Sequence, residues 1–308
     1  NHNYSKSLIS GTICSAGSLG TVIPPSVLVV ILAPVADVSV GDLFAGILLP
    51  GLIMAGLFFL YILIKCIIDP TAAPYMEVDG PQPTFVEKVV KTLIALVPPV
   101  ILIFVVLGTI LLGWATATEA AACGALGAVL LTILYGNFSI ATIKVALRQT
   151  LLITAMVLTI LLAGNMFAGV FIASGGLGAV REVLAAANLG NWGTMALILF
   201  LTFLAGFVLD LVSVILIIIP IAIPIIKSMG FDPIWFCILF LVVLQTSYLT
   251  PPMAPSIFYL RGISPPSITL RHMYWGVIPF IGMQLLTLIL VLWFPQLALW
   301  LPSTLVGF

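Results

Sequence analysis

The chain has 308 residues, 62% of them hydrophobic and 6% charged, and carries no net charge. Soluble domains hold about 25% charged residues, so a water-soluble fold is excluded, and a neutral chain offers no electrostatic footprint for nucleic acid. The mean hydropathy of +1.33 is spread over apolar runs near the ~20 residues that cross a bilayer, which predicts a polytopic helical membrane protein; a β-barrel would show short alternating segments instead.

In chain order, the first apolar segment covers residues 8–36 and is interrupted by "CSAGSLGTVIPPSVLVV"; the second covers 43–67. The longest hydrophilic stretch follows, "DPTAAPYMEVDGPQPTFVEKVVK", and is expected to end in a short amphipathic helix at the interface. Segments at 92–112 and 119–136 are joined by "LLGWATATEA", and a fifth covers 149–173. "GGLGAVREVLAAANLGN" predicts a short surface helix between glycine stops. Residues 192–226 are apolar but interrupted at "GFVLDLVSV". Residues 234–262 contain "LQTSYLTPPMAPSIFYL", and the last segment covers 274–301. Cys14, Cys66, Cys123 and Cys237 have no metal or redox spacing and are expected to be small buried hydrophobes.

Positive charge predicts orientation. With 192–226 counted as entering and leaving on one side, Lys6, Lys65, Lys88, Lys91, Lys144, Arg148, Arg261 and Arg271 share one face, and Arg181 and Lys227 the other. The first face is expected to be cytoplasmic, and the C-terminus periplasmic.

Two interruptions match each other. A shift of 230 residues superposes Leu19 on Leu249, Pro25 on Pro255 and Ser26 on Ser256, with Gly20 on Thr250 and Ile23 on Met253. By the charge count these segments run in opposite directions, which is the pattern of an inverted-repeat transporter. Proline removes a backbone donor and glycine permits unwinding, so carbonyls are freed that lipid cannot satisfy. Such carbonyls, with the nearby hydroxyls of Ser18, Thr21, Ser26, Thr246, Ser247, Thr250 and Ser256, are hard neutral oxygens suited to an alkali cation such as Na⁺. The half-helix N-termini suit an anion. Two packing kinks are the bland alternative.

Asp210 lies mid-way along an apolar stretch, where an ionisable group is a functional candidate. It is either beside the tip of a re-entrant hairpin, each arm being short for a crossing, or a helix cap at a surface turn between two crossings. Glu119, following Thr116, has the spacing of a helix-start cap.

The motifs "AGSLGTVIPPS", "VGDLFAGILLPG", "ATATEAAACGA", "GFVLD…PIAIP" and "TPPMAPSIF", in this order, resemble the large membrane subunit of tripartite ATP-independent periplasmic (TRAP) transporters, the DctM family. The family's Thr-Pro-Thr-Glu stands here as Thr116-Ala117-Thr118-Glu119. The resemblance covers essentially the whole chain. It implies that further helices and a first hairpin would precede "NHNYSKSLISG", so that the chain resembles a large subunit without the first portion of its first repeat.

The implied fold is an all-α inverted-repeat elevator transporter with broken helices and a re-entrant hairpin. Its division here would be an end of the first repeat at 1–68, a cytoplasmic loop and interfacial helix at 69–91, scaffold helices at 92–190 and a transport part at 191–308. The implied function is sodium-coupled import of small organic acids, such as C4-dicarboxylates or sugar acids, across the bacterial inner membrane. A periplasmic substrate-binding protein would deliver the acid, and a small four-helix permease subunit would join the large one. No catalysis and no cofactor are implied beyond the coupling ion Na⁺. By matching positions, one Na⁺ would lie near Gly20, Ile23 and Pro25. A second would lie near Gly206, Asp210, Thr250 and Met253. Ser18, Ser26, Ser213, Tyr248 and Ser256 are the candidates for contact with substrate. A stand-alone Na⁺/dicarboxylate symporter and, in a different class, an ion channel are the alternatives. No P-loop is present to support an ATPase.

Overall fold

The computed structural model describes residues 4–74, 84–251 and 254–305. Among them it is all-helical: α1 (Lys6–Leu19), α2 (Val27–Ala36), α3 (Val40–Ile68), α4 (Phe85–Leu111), α5 (Ala117–Leu134), α6 (Ile140–Ala173), α7 (Gly176–Ala187), α8 (Gly190–Ala205), α9 (Leu211–Ser228), α10 (Pro233–Leu249), α11 (Pro255–Ile263), α12 (Leu270–Trp293) and α13 (Gln296–Leu305). A 3₁₀ turn, Pro70–Ala72, follows α3. Among the described residues, α3, α4, α5, α6, α9 and α12 are long and apolar enough to cross a membrane, and α2, α8 and α10 are shorter apolar helices. The chain is a multi-pass membrane protein.

The helix starts are written in local chemistry. Ser5 accepts from Leu8 N at 3.4 Å and opens α1, and Ser39 accepts from Asp42 N at 3.4 Å and opens α3. Asp232 accepts from Trp235 N at 3.0 Å, with Pro233 as the first residue of α10. Thr116 and Glu119 form a reciprocal capping box on α5, so Glu119 is a helix-start residue.

Three sequence expectations need correction. The expected interfacial helix is not separate: the Thr84–Glu87 box starts α4, which runs from Phe85 to Leu111 and continues through Pro98 and Pro99. The expected segment 274–301 is two helices, since α12 ends at Trp293 and Pro295 precedes α13. Of the four cysteines, Cys14 and Cys237 are buried, but Cys66 is intermediate and Cys123 is exposed on α5.

The chain forms two compact units. In the smaller, 75–156, α4 and α5 pack side by side: Gly127 lets Leu102 approach, and the Tyr135 hydroxyl donates to the Ile94 carbonyl at 3.1 Å. The larger contains 3–74 and 157–307. Its centre is α10, buried at nearly every position from Trp235 to Leu249, as expected of a helix apolar on all faces. Around it pack α1, α3, α8, α9, α12 and α13.

The closest helix crossing in the larger unit is made by two glycines. A Cβ on Gly276 of α12 would overlap the Ser7 carbonyl and stand 2.9 Å from Gly11 N, while one on Gly11 would overlap the Gly276 backbone. Small residues are what let membrane helices meet backbone to backbone. Gly276→Ala is therefore expected to cost about 1–3 kcal/mol through overpacking. Gly282→Ala on the same helix meets nothing within 4 Å and is expected to be neutral or to stabilise by about 0.5–1 kcal/mol through helix propensity. Thermal unfolding of the two purified variants in detergent checks the pair; equal melting temperatures would refute the close crossing.

Candidate functional site

Both sequence interruptions are real breaks. α1 stops at Leu19 and α2 starts at Val27; α10 stops at Leu249 and α11 starts at Pro255. Met253 lies outside the described residues, as does Pro252. The two breaks are neighbours. Ser18, at the end of α1, accepts from Gln245 of α10 at 3.2 Å, and the Cys14 thiol lies 3.7 Å from the Ser256 carbonyl of α11. Cys14, Leu249, Ala254 and Ile257 share one buried cluster.

The first break ends α1 with short bonds: Thr21 N and Thr21 Oγ1 both donate to the Ser18 carbonyl, at 3.0 and 2.7 Å. Beyond it the carbonyls of Gly20, Ile23 and Pro25 accept no hydrogen bond from the described residues. Gly20 and Pro25 are exposed, and Ile23 is intermediate. The Pro24–Pro25 peptide is cis. At the second break Thr250 Oγ1 donates to the Thr246 carbonyl at 2.7 Å, which leaves its lone pairs free, and Thr250 N donates to the Ser247 carbonyl at 3.1 Å.

The serines matched by the repeat do the same job. Ser26 precedes α2 but does not cap it; its hydroxyl reaches back to the Thr21 carbonyl at 2.5 Å. Ser256 reaches back from α11 to the Tyr248 carbonyl at 3.2 Å. Ser256 thus ties α11 to α10 across the gap, and Ser26 folds the break back on the start of α2. Neither α2 nor α11 has a side-chain cap; at α11 Ile257 N and Phe258 N donate to the Ala254 carbonyl at 2.8 and 3.4 Å, whereas the first-turn N–H groups of α2 find no acceptor among the described residues.

α8 and α9 form a helical hairpin. Its open ends are held by Asn191, which donates to the Met229 carbonyl at 3.3 Å, and Lys227 of α9 lies 3.8 Å from Asp37 at the end of α2. The turn, 206–210, reaches the second break: a Cβ on Gly206 would overlap Ser247 Oγ and stand 2.8 Å from Ser247 Cβ. Asp210 is exposed and caps α9, accepting from Val212 N and Ser213 N at 3.1 Å each and from Ser213 Oγ at 2.6 Å. Ser213 is thereby tied to its own helix start.

A cavity of about 510 Å³ lies where turn, α2 and α11 meet, with Leu28, Phe207, Asp210, Tyr248, Phe258 and Tyr259 in its wall. A larger space of about 610 Å³ between α8, α10 and α12 is walled almost wholly by hydrocarbon, including Met195, Leu199 and Leu288; it has no set of groups to hold an ion. The structure thus brings together Asp210 and Tyr248 in the cavity wall, with Gly206, Thr250 and Ser256 beside it. Gly20, Ile23, Pro25 and Ser26 belong to the neighbouring break. Ser18 points instead into the interior, 1% exposed, toward Gln245 and Gln284. Those two glutamines were not singled out from sequence, although a carboxamide within an apolar run of crossing length is a readable signal. Among the described residues no group of three or more His, Cys, Asp or Glu side chains could hold a metal ion.

The Gly206–Ser247 contact gives a sharp test. Gly206 has an ordinary right-handed backbone, φ −65°, so Gly206→Ala is penalised by the contact alone, by about 1–3 kcal/mol. Adding Ser247→Gly should restore all but roughly the 1 kcal/mol that glycine costs inside a helix. Thermal stability of the single and double variants checks this; an unrescued double variant would mean that the turn does not rest on α10.

Comparison with known proteins completes the picture. Residues 1–297 match the family described as "Tripartite ATP-independent periplasmic transporter, DctM component". The ectoine TRAP transporter large permease protein TeaC of Halomonas elongata is 30% identical, over 97% of this chain and 68% of its own length. The C4-dicarboxylate TRAP transporter large permease protein DctM of Vibrio cholerae is 26% identical, over 99% and 70%. The sialic acid TRAP transporter large permease protein SiaM of the same species is 26% identical over the same shares. With a match across nearly its whole length and both broken helices in place, the chain belongs to the DctM family of TRAP transporter large permeases.

Proposed function

We propose that this chain carries out Na⁺-coupled import of a small organic acid, with cations held at the carbonyl ends of the breaks and the acid's carboxylate at the opened helix starts. The observation that carries the reading is the pairing of the two breaks. The first offers unbonded carbonyls and the open first-turn N–H groups of α2, and the second offers the Thr250 hydroxyl oxygen beside the start of α11, within a chain of zero net charge. Gly20, Ile23 and Pro25 would supply one cation site, and Gly206, Thr250 and Met253 the other, with Asp210 holding the hairpin turn. Leu28 of α2 and Pro255 of α11 line the same cavity, so both positive helix ends would face one carboxylate. The relatives are named for C4-dicarboxylates, ectoine and sialic acid, compounds that share a carboxylate. A binding protein would deliver the acid from the periplasm, and a small permease subunit would complete the assembly.

In this reading the α8–α9 hairpin is re-entrant, because its turn rests on α10 at the break rather than past the end of α11. One unit would move as an elevator against a fixed scaffold, and the positive-inside count places the C-terminus in the periplasm.

The test is uptake in proteoliposomes containing the complete transporter and its partners. Accumulation driven by a Na⁺ gradient and absent with K⁺ is expected; equal uptake in K⁺ would overturn the ion coupling, and uptake without any binding protein would favour a stand-alone symporter. Thr250→Val keeps shape but removes the hydroxyl. Loss of roughly 1–1.5 kcal/mol of contact should raise the half-saturating Na⁺ concentration about tenfold. Apparent substrate affinity should fall at limiting Na⁺ and recover at saturation, since binding linkage is reciprocal. Superimposable Na⁺ curves at equal membrane abundance would remove Thr250 from the ion site.

A further inference from the structure

A second polar cluster lies away from the cavity, between α1, α10 and α12. Ser15, Ser18, Gln245 and Gln284 are 0–2% exposed. Gln245 Nε2 donates to Ser18 Oγ at 3.2 Å and Gln284 Nε2 donates to the same oxygen at 3.4 Å, while the Ser18 hydroxyl donates to the Ser15 carbonyl at 2.8 Å. One hydroxyl thus uses its whole capacity, one donor and two acceptor sites. In this arrangement both carboxamide nitrogens are placed on Ser18 Oγ and their oxygens face elsewhere.

Three buried oxygens remain without a protein partner: Ser15 Oγ, Gln245 Oε1 and Gln284 Oε1. Each carboxamide oxygen shares a carbon with a nitrogen already on Ser18, so both lie within roughly 6 Å of Ser18 Oγ. The unmet demand is two acceptors and one hydroxyl. A water molecule has two protons for the first and a lone pair for the second, and buried waters make about three hydrogen bonds.

The position of the cluster gives it a task. Ser18 lies immediately before the first break, whose first two bonds from Thr21 are to the Ser18 carbonyl. Gln245 lies one turn before Thr250, where α10 stops. We propose that Ser15, Ser18, Gln245 and Gln284, completed by one internal water, form a clamp that fixes the first break against the second and couples ion occupancy at the two. The coupling rests on the Na⁺ reading above; the clamp itself does not. These are positioning residues, acting through the carbonyls whose placement they set.

The test uses the complete reconstituted transporter with Ser18→Ala, Gln284→Leu and the conservative Ser18→Thr. Uptake against Na⁺ concentration is expected to be cooperative, with a slope near two for the unaltered protein, falling toward one in Ser18→Ala and Gln284→Leu and recovering in Ser18→Thr; the slope is bounded by the number of coupled sites. The half-saturating Na⁺ concentration should rise about tenfold while the maximal rate stays within about twofold. A merely structural role predicts lowered thermal stability with an unchanged slope, and that result overturns the coupling. Spin labels at Val30 of α2 and Ile263 of α11, both exposed, with Cys66 and Cys123 replaced by serine, read the clamp without transport. A narrow distance distribution is expected, broadened by Ser18→Ala; an unaltered distribution overturns the clamp. If uptake proves independent of Na⁺, the ion reading and its coupling both fall, and the label distances still decide the clamp. Equilibrium ²²Na⁺ binding that loses one ion per chain in Gln284→Leu would make the cluster an ion site and overturn its completion by water.

Discussion

A carbonyl without a hydrogen-bond partner is tolerated away from water only if something polar comes to meet it. That constraint organises the larger unit. α1 and α10 each stop short, and the structure gathers the consequences in one place rather than scattering them. Proline and glycine cause the stops, Thr21 and Thr250 tie up part of what is released, and the carbonyls of Gly20, Ile23 and Pro25 are left without a partner among the described residues. Ser26 and Ser256 show the trade most directly. A serine next to a helix start would ordinarily cap it, worth ~1 kcal/mol. Here both hydroxyls reach back along the chain instead, Ser26 to Thr21 and Ser256 to Tyr248.

The rest of the packing holds that arrangement still. α10 is buried on all sides because it carries the second break to the centre of the unit. The glycines at α1–α12 and at the hairpin turn remove side chains where backbone must touch its neighbour. Gly164 does likewise for α6, where a Cβ would stand 2.7 Å from Leu216 of α9. Asp210 spends its carboxylate on the N-terminus of α9, so the hairpin turn is shaped by its own acid before any ligand arrives.

What the sequence made legible follows from how local each cause is. The breaks were readable because proline and glycine act on their own turn, and the cap at Thr116 and Glu119 because capping spans three residues. The continuity of α4 was not, since a polar start and an apolar continuation read as two elements when nothing marks that they share one axis. The division at Trp293 was missed because hydropathy continues through Pro295. Asp210 stayed open between cap and cavity, and the structure shows both features at once: it caps α9 and lines the cavity wall. The partnership of Ser18 with Gln245 and Gln284 joins residues far apart along the chain, and no local pattern contains that information. The hydroxyl of Ser18 is a substrate candidate by sequence, and the structure shows it buried and bonded to both glutamines.

Charge explains why cation and acid would travel together. The candidate ligands at the breaks are carbonyls and hydroxyls, and the one nearby carboxylate, Asp210, is already bonded to its own helix start. A cation bound alone would leave the site positive, and a carboxylate alone would leave it negative. Moving either through a low-dielectric interior carries a penalty of several kcal/mol per uncompensated ion. Two opposite unit charges ~4 Å apart recover about 4 kcal/mol at an effective dielectric near 20. A site built from neutral groups therefore favours joint occupancy, without a moving gate that inspects each ligand. A permanent acid among the ligands would spoil this, because it would neutralise the cation by itself and remove the need for the substrate. On the proposed Na⁺ reading, the neutrality of the groups at the breaks would tie one ligand to the other.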